Sequence, residues 1–211
     1  MQAELTQFVA LHGVWLVAAF IALESMGAPL PAEAALIAAG IFAATTHQLD
    51  IGWLVAVSIP AAILGNLAGF WIGRKFGYSL LKRYGKRIGL NDDRVKIGQW
   101  LFVRYGGRFV FTARFLPFLR NMAALLAGAN RMPVSRYYIA STAAAMVWVT
   151  VYGIGAYAFG EAFSAMASPA AIVLTLVAIA TVVGIPMLIL RFEKRLLAEA
   201  ERDPQAPRPL A

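Results

Sequence analysis

The chain has 211 residues, 60% of them hydrophobic and 14% charged, with no cysteine and a formal net charge of +8. Ordinary soluble domains carry about 25% charged residues. Together with a mean hydropathy of +0.68, this excludes a soluble fold and points to a small all-α integral membrane protein. The lack of cysteine excludes disulfides and thiol-based metal or redox chemistry, and His12 and His47 are too few and too far apart to suggest a metal centre.

The charge is unevenly distributed. Residues 1–73 contain neither Lys nor Arg, and all 19 basic residues fall from Arg74 onward. They cluster in 74–104, in 108–120, at Arg131 and Arg136, and in the tail from Arg191, with long uncharged segments between. That is the pattern of cytoplasmic loops under the positive-inside rule, not of a basic face for nucleic acid. The N-terminus has no basic region ahead of an apolar core and does not read as a signal peptide.

In chain order, an apolar run reaches Leu23, ESMGAPLPAE interrupts it, and a second apolar run follows from Ala34 to Thr46. Pro29 and Pro31 break any helix there, because proline has no backbone donor. The break holds Glu24 and Glu33 and no basic residue, which does not suit a cytoplasmic loop. Residues 8–45 are therefore expected to form a re-entrant hairpin, with two ordinary short spans as the alternative. THQLD makes a polar turn, and the uncharged residues 51–73 predict a full span. Gly65, Gly69, Gly73 and Gly77 recur every fourth residue, which puts them on one helical face and favours close helix packing.

Residues 74–104 predict a basic cytoplasmic linker, whose second half, from Asn91-Asp92-Asp93, reads as one amphipathic interfacial helix. Residues 105–128 contain RFVFTARFLPFLR, with Arg108, Arg114 and Arg120 set in apolar and aromatic sequence and Pro117 as a break. Basic flanks on both sides predict a second hairpin, entering from and returning to the cytoplasm. Residues 137–160 and 170–190 predict two further spans, the tail is cytoplasmic, and 196–211 is expected to be disordered. The whole of 1–195 reads as a single domain with two opposed re-entrant hairpins and about three full spans. The crossing helices end alike, Gly69-Phe70-x-x-Gly73 and Ala156-Tyr157-x-x-Gly160. An inverted repeat with broken helices suggests a transporter whose site lies where the breaks meet.

Ionisable groups at membrane depth are costly and are functional candidates. Glu24, Glu33, Arg114 and Arg120 qualify, with Arg108 nearer the interface. Guanidinium groups hold phosphate through paired hydrogen bonds, a half-helix after Pro117 would add backbone donors, and Asn121 could add an amide. Glu24 and Glu33 would balance the charge or exchange protons. The alternative is structural: static bridges Glu24–Arg120 and Glu33–Arg114, or the swapped pairs. The tryptophans suit interfacial anchoring and packing. No nucleophile–base set, HExxH or phosphate loop is present, so no cofactor and no enzymatic activity are expected.

The run Glu24-x4-Pro29-x-Pro31-x-Glu33, then GNLAGFWIGRKFG, ARFLPFLRNMAALLAGANRMP and a late tryptophan with GAYAFG, resembles the DedA family. These are bacterial relatives of the VTT (SNARE-associated Golgi protein) membrane proteins, and the resemblance covers roughly residues 8–195. It implies opposed re-entrant hairpins and movement of lipids between leaflets of the bacterial inner membrane. Undecaprenyl phosphate and phospholipids such as phosphatidylethanolamine are the implied substrates, often with dependence on proton-motive force. The family's acidic positions fall on Glu24 and Glu33 and its arginines on Arg114 and Arg120. Many members carry Gly-Asp where this chain has Gly65-Asn66. Asparagine cannot titrate, so proton coupling through this position is not expected. The expected partners are lipids with an anionic or zwitterionic phosphate headgroup, with protons and a second copy of the chain as candidates. A non-transporting assembly factor using the glycine face is the competing expectation, and a lipid-phosphate enzyme the weakest.

Overall fold

The structure, a computed structural model, describes residues 2–84, 100, 102, 104–114 and 117–165. Among these residues the regular structure is entirely helical. Helices α1 (Gln2–Met26) and α2 (Ala32–Thr46) form a first pair, followed by α3 (Ile51–Tyr84). Helices α4 (Gly107–Ala113) and α5 (Pro117–Ala129) form a second pair, followed by α6 (Val134–Ala165). The expected span 170–190, the tail, and most of the amphipathic segment 91–104 lie outside the described residues.

Local chemistry sets the helix limits. Helix α1 closes through Gly27, at φ 120, with the N–H groups of Gly27 and Ala28 bonded back to the carbonyls of Glu24 and Leu23. Pro29 and Pro31 prevent its resumption before Ala32. Helix α2 ends at His47 in the left-handed conformation, its N–H donating to the Ala43 carbonyl. Asp50 starts α3: its Oδ1 accepts the Trp53 N–H at 2.6 Å, a side-chain N-cap. Pro117 occupies the first position of α5, where its missing donor costs nothing. Helix α5 ends in a Schellman turn, with Arg131 at φ 54 and the Met132 N–H on the Ala127 carbonyl at 3.0 Å.

Three boundaries differ from expectation. Helix α1 begins at Gln2 instead of about residue 8, because Gln2, Glu4 and Gln7 are good helix formers and polarity alone does not end a helix. Helix α3 continues past residue 73 to Tyr84, with a kink at Gly77 (φ 58, ψ −150). Gly77 thus supplies a backbone conformation that other residues resist, and nothing lies within 4 Å of where its Cβ would be; it is not part of the packing face. Helix α6 begins at Val134, which places Arg136 in its first turn and not in a loop.

The stretches Ile51–Gly77 and Val134–Phe163, of 27 and 30 residues, are long and apolar enough to cross a membrane. Only 28% and 39% of their most apolar windows are buried inside the chain. Trp53, Leu64, Trp71, Ile139, Val151 and Phe163 point outward, as suits hydrocarbon surroundings. Helices α4 and α5, with 7 and 13 residues, reach only roughly 10 and 20 Å. Each is shorter than the roughly 30 Å of a hydrocarbon core.

Glycines bring the helices together. Gly65 lies against the Ala22 backbone of α1, Gly69 against Met26 and Ala124, and Gly73 against Leu125 of α5. Gly128 of α5 meets the α3 backbone at Phe70, Gly73 and Arg74. In the other half, Gly40 of α2 meets Gly153, Ala156 and Tyr157 of α6, and Gly160 meets Ile41 and Ala44. Each long helix thus packs, in parallel, on the second arm of the opposite pair. Because α3 runs parallel to α1, α1 antiparallel to α2, and α2 parallel to α6, the two long helices are antiparallel. The GFxxG and AYxxG endings are the matching seats for Gly128 and Gly40.

Two apolar clusters result. One joins Val14, Val17 and Ile21 to Leu36, Leu54, Ala62, Ala145, Trp148 and Val149. The other joins Phe70, Val110, Ala124, Ala127, Met132 and Tyr137. Of the buried polar residues Glu24, Ser25, Ser58, Asn66 and Ser141, Asn66 on α3 and Ser141 on α6 fall in the chain between members of the two clusters, and Glu24 and Ser25 close α1 just after Ile21 of the first; these four line two adjacent small cavities and make a polar layer.

Candidate functional site

Six elements converge on that layer. The last turn of α1 supplies Glu24 and Ser25, and the first turn of α2 supplies Glu33. Asn66 comes from the middle of the Ile51–Gly77 stretch, and Trp148 from the middle of Val134–Phe163. Arg114 sits just past the end of α4, and Arg120 in the first turn of α5. Each charged residue lies at a helix end, where the breaks allow side chains from both pairs to meet.

Arg120 joins the two pairs. Its Nη2 donates to Glu24 Oε1 and its Nη1 to Glu33 Oε2, both at 2.5 Å. Glu24 is nearly inaccessible, with its side chain 7% exposed, whereas Glu33 is 32% exposed. The bridges therefore differ from both expected pairings: one guanidinium takes both carboxylates. A single cation holding two separate acids neutralises only part of their charge. It also ties the end of α1 and the start of α2 to the start of α5.

Arg114 takes neutral partners. Its Nη1 donates to Asn66 Oδ1 at 3.2 Å and its Nη2 approaches Ser25 Oγ at 3.4 Å. Among the described residues no carboxylate forms an ion pair with it. Asn66 is held in turn by Tyr137, whose hydroxyl donates to the Asn66 carbonyl at 3.0 Å while its ring stacks on Phe70 at 4.5 Å. Asn66 thus orients a guanidinium without neutralising it.

Trp148 lies beneath both cations, its ring 5.0 Å from the Arg114 guanidinium carbon and 5.9 Å from that of Arg120. Contacts of this kind hold a guanidinium over the indole face. Glu24, Ser25, Arg114, Arg120 and Trp148 line one small cavity. Asn66, Arg114, Arg120, Tyr137 and Ser141 line a second beside it. Each has a volume of about 10 Å³, room for no more than one water molecule. A phosphate group does not fit in either.

A model of the VTT domain matches residues 30–159, more than half of the chain. The chain belongs to the DedA family of VTT-domain membrane proteins. An uncharacterized membrane protein of Mycobacterium tuberculosis is 32% identical over 202 residues, covering 89% of this chain and 87% of its own length. The DedA protein of Escherichia coli is 29% identical over 167 residues, 76% of each chain. A membrane protein of Bacillus subtilis is 28% identical over 147 residues, 69% of this chain and 90% of its own. No solved structure matches.

The tertiary structure brings together Glu24, Glu33, Arg114 and Arg120. Arg108 is exposed on α4 and lines neither cavity. Asn121 and Pro117 belong to α5, but their side chains lie outside the described residues. Ser25, Tyr137 and Trp148 were not anticipated as site residues. Trp148 is not an interfacial anchor: it is 2% exposed and sits in mid-helix. Its distance from either end of an uncharged run was the available signal. Ser25 and Tyr137 had none beyond the neighbourhood of Glu24 and of a helix start.

Proposed function

We propose that this chain moves a phosphate-bearing lipid between the leaflets of the bacterial inner membrane. The observation that carries the proposal is Arg114, a guanidinium between the middles of two membrane-length helices whose described partners are an amide, a hydroxyl and an indole face. A cation at that depth is costly without a counter-ion, and a headgroup phosphate supplies one through paired charge-assisted hydrogen bonds. Arg120 offers a second guanidinium once Glu24 or Glu33 lets go. The lipid tails stay in the bilayer, so only a polar passage for the headgroup is needed. Undecaprenyl phosphate and phosphatidylethanolamine are the leading candidates, and the hairpins are read as re-entrant.

The glycine face that an assembly-factor role would offer to a partner is already used. Gly65, Gly69 and Gly73 meet α1 and α5 of the same chain. The proposal is tested in liposomes with fluorescent phosphatidylethanolamine or polyprenyl phosphate. Wild type is expected to speed crossing over protein-free vesicles, and Arg114→Gln to reduce it at least about tenfold, the scale of a lost charge-assisted hydrogen bond. Crossing at the protein-free rate would sink it.

A further inference from the structure

The donors around the site are more numerous than the acceptors they have. Among the described residues, five buried side-chain polar atoms lack a hydrogen-bond partner, and three belong to this site: Arg114 Nε, Arg120 Nε and Trp148 Nε1. All three are obligate donors, because neither a guanidinium N–H nor an indole N–H can accept. The three side chains line the same cavity. Buried polar groups are normally paired, and an unpaired cluster of one sign calls for a missing partner of the opposite kind. An acceptor carrying several oxygens can meet all three.

We propose that Trp148 is a ligand-contacting residue that donates its indole N–H to a phosphate oxygen while its ring face spaces Arg114 and Arg120 around the same group. The inference rests on the phosphate-lipid reading above and adds a neutral, non-titrating donor to it. Trp148 is suited to the task by its surroundings. It is 2% exposed, it packs with Leu54, Ala145 and Val149 in the larger apolar cluster, and Tyr152 lies against its ring at 5.2 Å. A donor held so firmly loses little freedom on binding. The ligand class is a tetrahedral oxyanion, a phosphate ester or free phosphate, since the two oxygens of a bare carboxylate are fewer than the three unpartnered donors, which sit on three side chains.

The test uses the full chain in maltoside micelles with ¹⁵N-labelled indoles. The chain has five tryptophans, and Trp148→Phe assigns the resonance by its loss. Dihexanoylphosphatidic acid, dihexanoylglycerol and inorganic phosphate are titrated separately. A saturable downfield shift of the Trp148 N–H with phosphatidic acid, and none with dihexanoylglycerol, is expected. Trp148→Phe keeps the ring and loses the donor, so the Kd for phosphatidic acid should rise about ten- to a hundredfold. The four other indole signals report whether that variant is folded. An equal shift with inorganic phosphate would support the site and name free phosphate as a sufficient ligand. A silent Trp148 signal during saturable phosphatidic acid binding, with Trp148→Phe binding at the wild-type Kd, would overturn the inference and leave lipid transport standing. No saturable binding of either phosphate, with no lipid crossing in vesicles, would overturn both.

Discussion

At the scale of single residues, the two acids on Arg120 are not equivalent. Glu24 is nearly closed to water and Glu33 is a third open, its side chain 32% exposed against 7%. Removing one partner of a buried pair leaves an uncompensated charge, whereas an exposed pair loses little. Glu24→Gln is therefore expected to lower thermal stability in detergent clearly more than Glu33→Gln. Arg120→Gln should cost more than either, on the order of 3 kcal/mol, because it strands both carboxylates. Unfolding monitored by intrinsic fluorescence ranks the three; equal losses for the two glutamate variants would contradict the asymmetry. The family residues were legible from their types and spacing. Which acid faced which arginine was not, because pairing depends on how two helix ends meet and not on distance along the chain.

At the scale of helices, the glycine spacing announced a close approach, and the structure shows which backbones approach. A Cβ at Gly65 would collide with the Ala22 backbone, while one at Gly155 would meet nothing within 4 Å. Backbone cannot swing aside as a side chain can, so Gly65→Ala should lower the melting temperature by several degrees and weaken folding. Gly155→Ala should be neutral or slightly stabilising, since alanine favours a helix by up to about 1 kcal/mol over glycine. Thermal denaturation of both variants checks the pair, and equal behaviour would mean that α1 and α3 do not touch there. Gly77 shows the limit of periodicity. It continues the four-residue spacing, yet its positive φ makes it a kink. A spacing records where a glycine falls, and not whether space or backbone torsion requires it.

At the scale of the molecule, the antiparallel long helices sort charge by end. Asp50 starts α3, and Glu161, bonded to Tyr157, follows Gly160 where α6 meets the end of α2. No Lys or Arg lies among the described residues there. At the opposite end Arg74 donates to the Met132 carbonyl at 3.2 Å, with Lys75, Arg131 and Arg136 nearby in sequence. The positive-inside rule predicts that this basic end faces the cytoplasm. The chain lacks cysteine, so single cysteines can be read without background. A membrane-impermeant maleimide should label Gln48→Cys in intact spheroplasts, and Arg131→Cys only after permeabilisation. Labelling of both from one side would mean that the two ends do not straddle the membrane.

Composition, proline breaks and charge placement were sufficient by themselves to indicate an all-helical membrane chain, two interrupted helix pairs and four charged residues set in apolar sequence. Those features are local, written in hydropathy and in which residues can donate a backbone hydrogen bond. Only the tertiary structure decided that Arg120 takes both Glu24 and Glu33, that Asn66 and Ser25 hold Arg114, and that Trp148 lies beneath both cations. Each of those contacts joins residues more than thirty apart apart from the nearby pair Arg120–Trp148, which still lie on different helices. They exist because glycine seats let each long helix dock on the opposite pair, a consequence of packing that no single segment encodes.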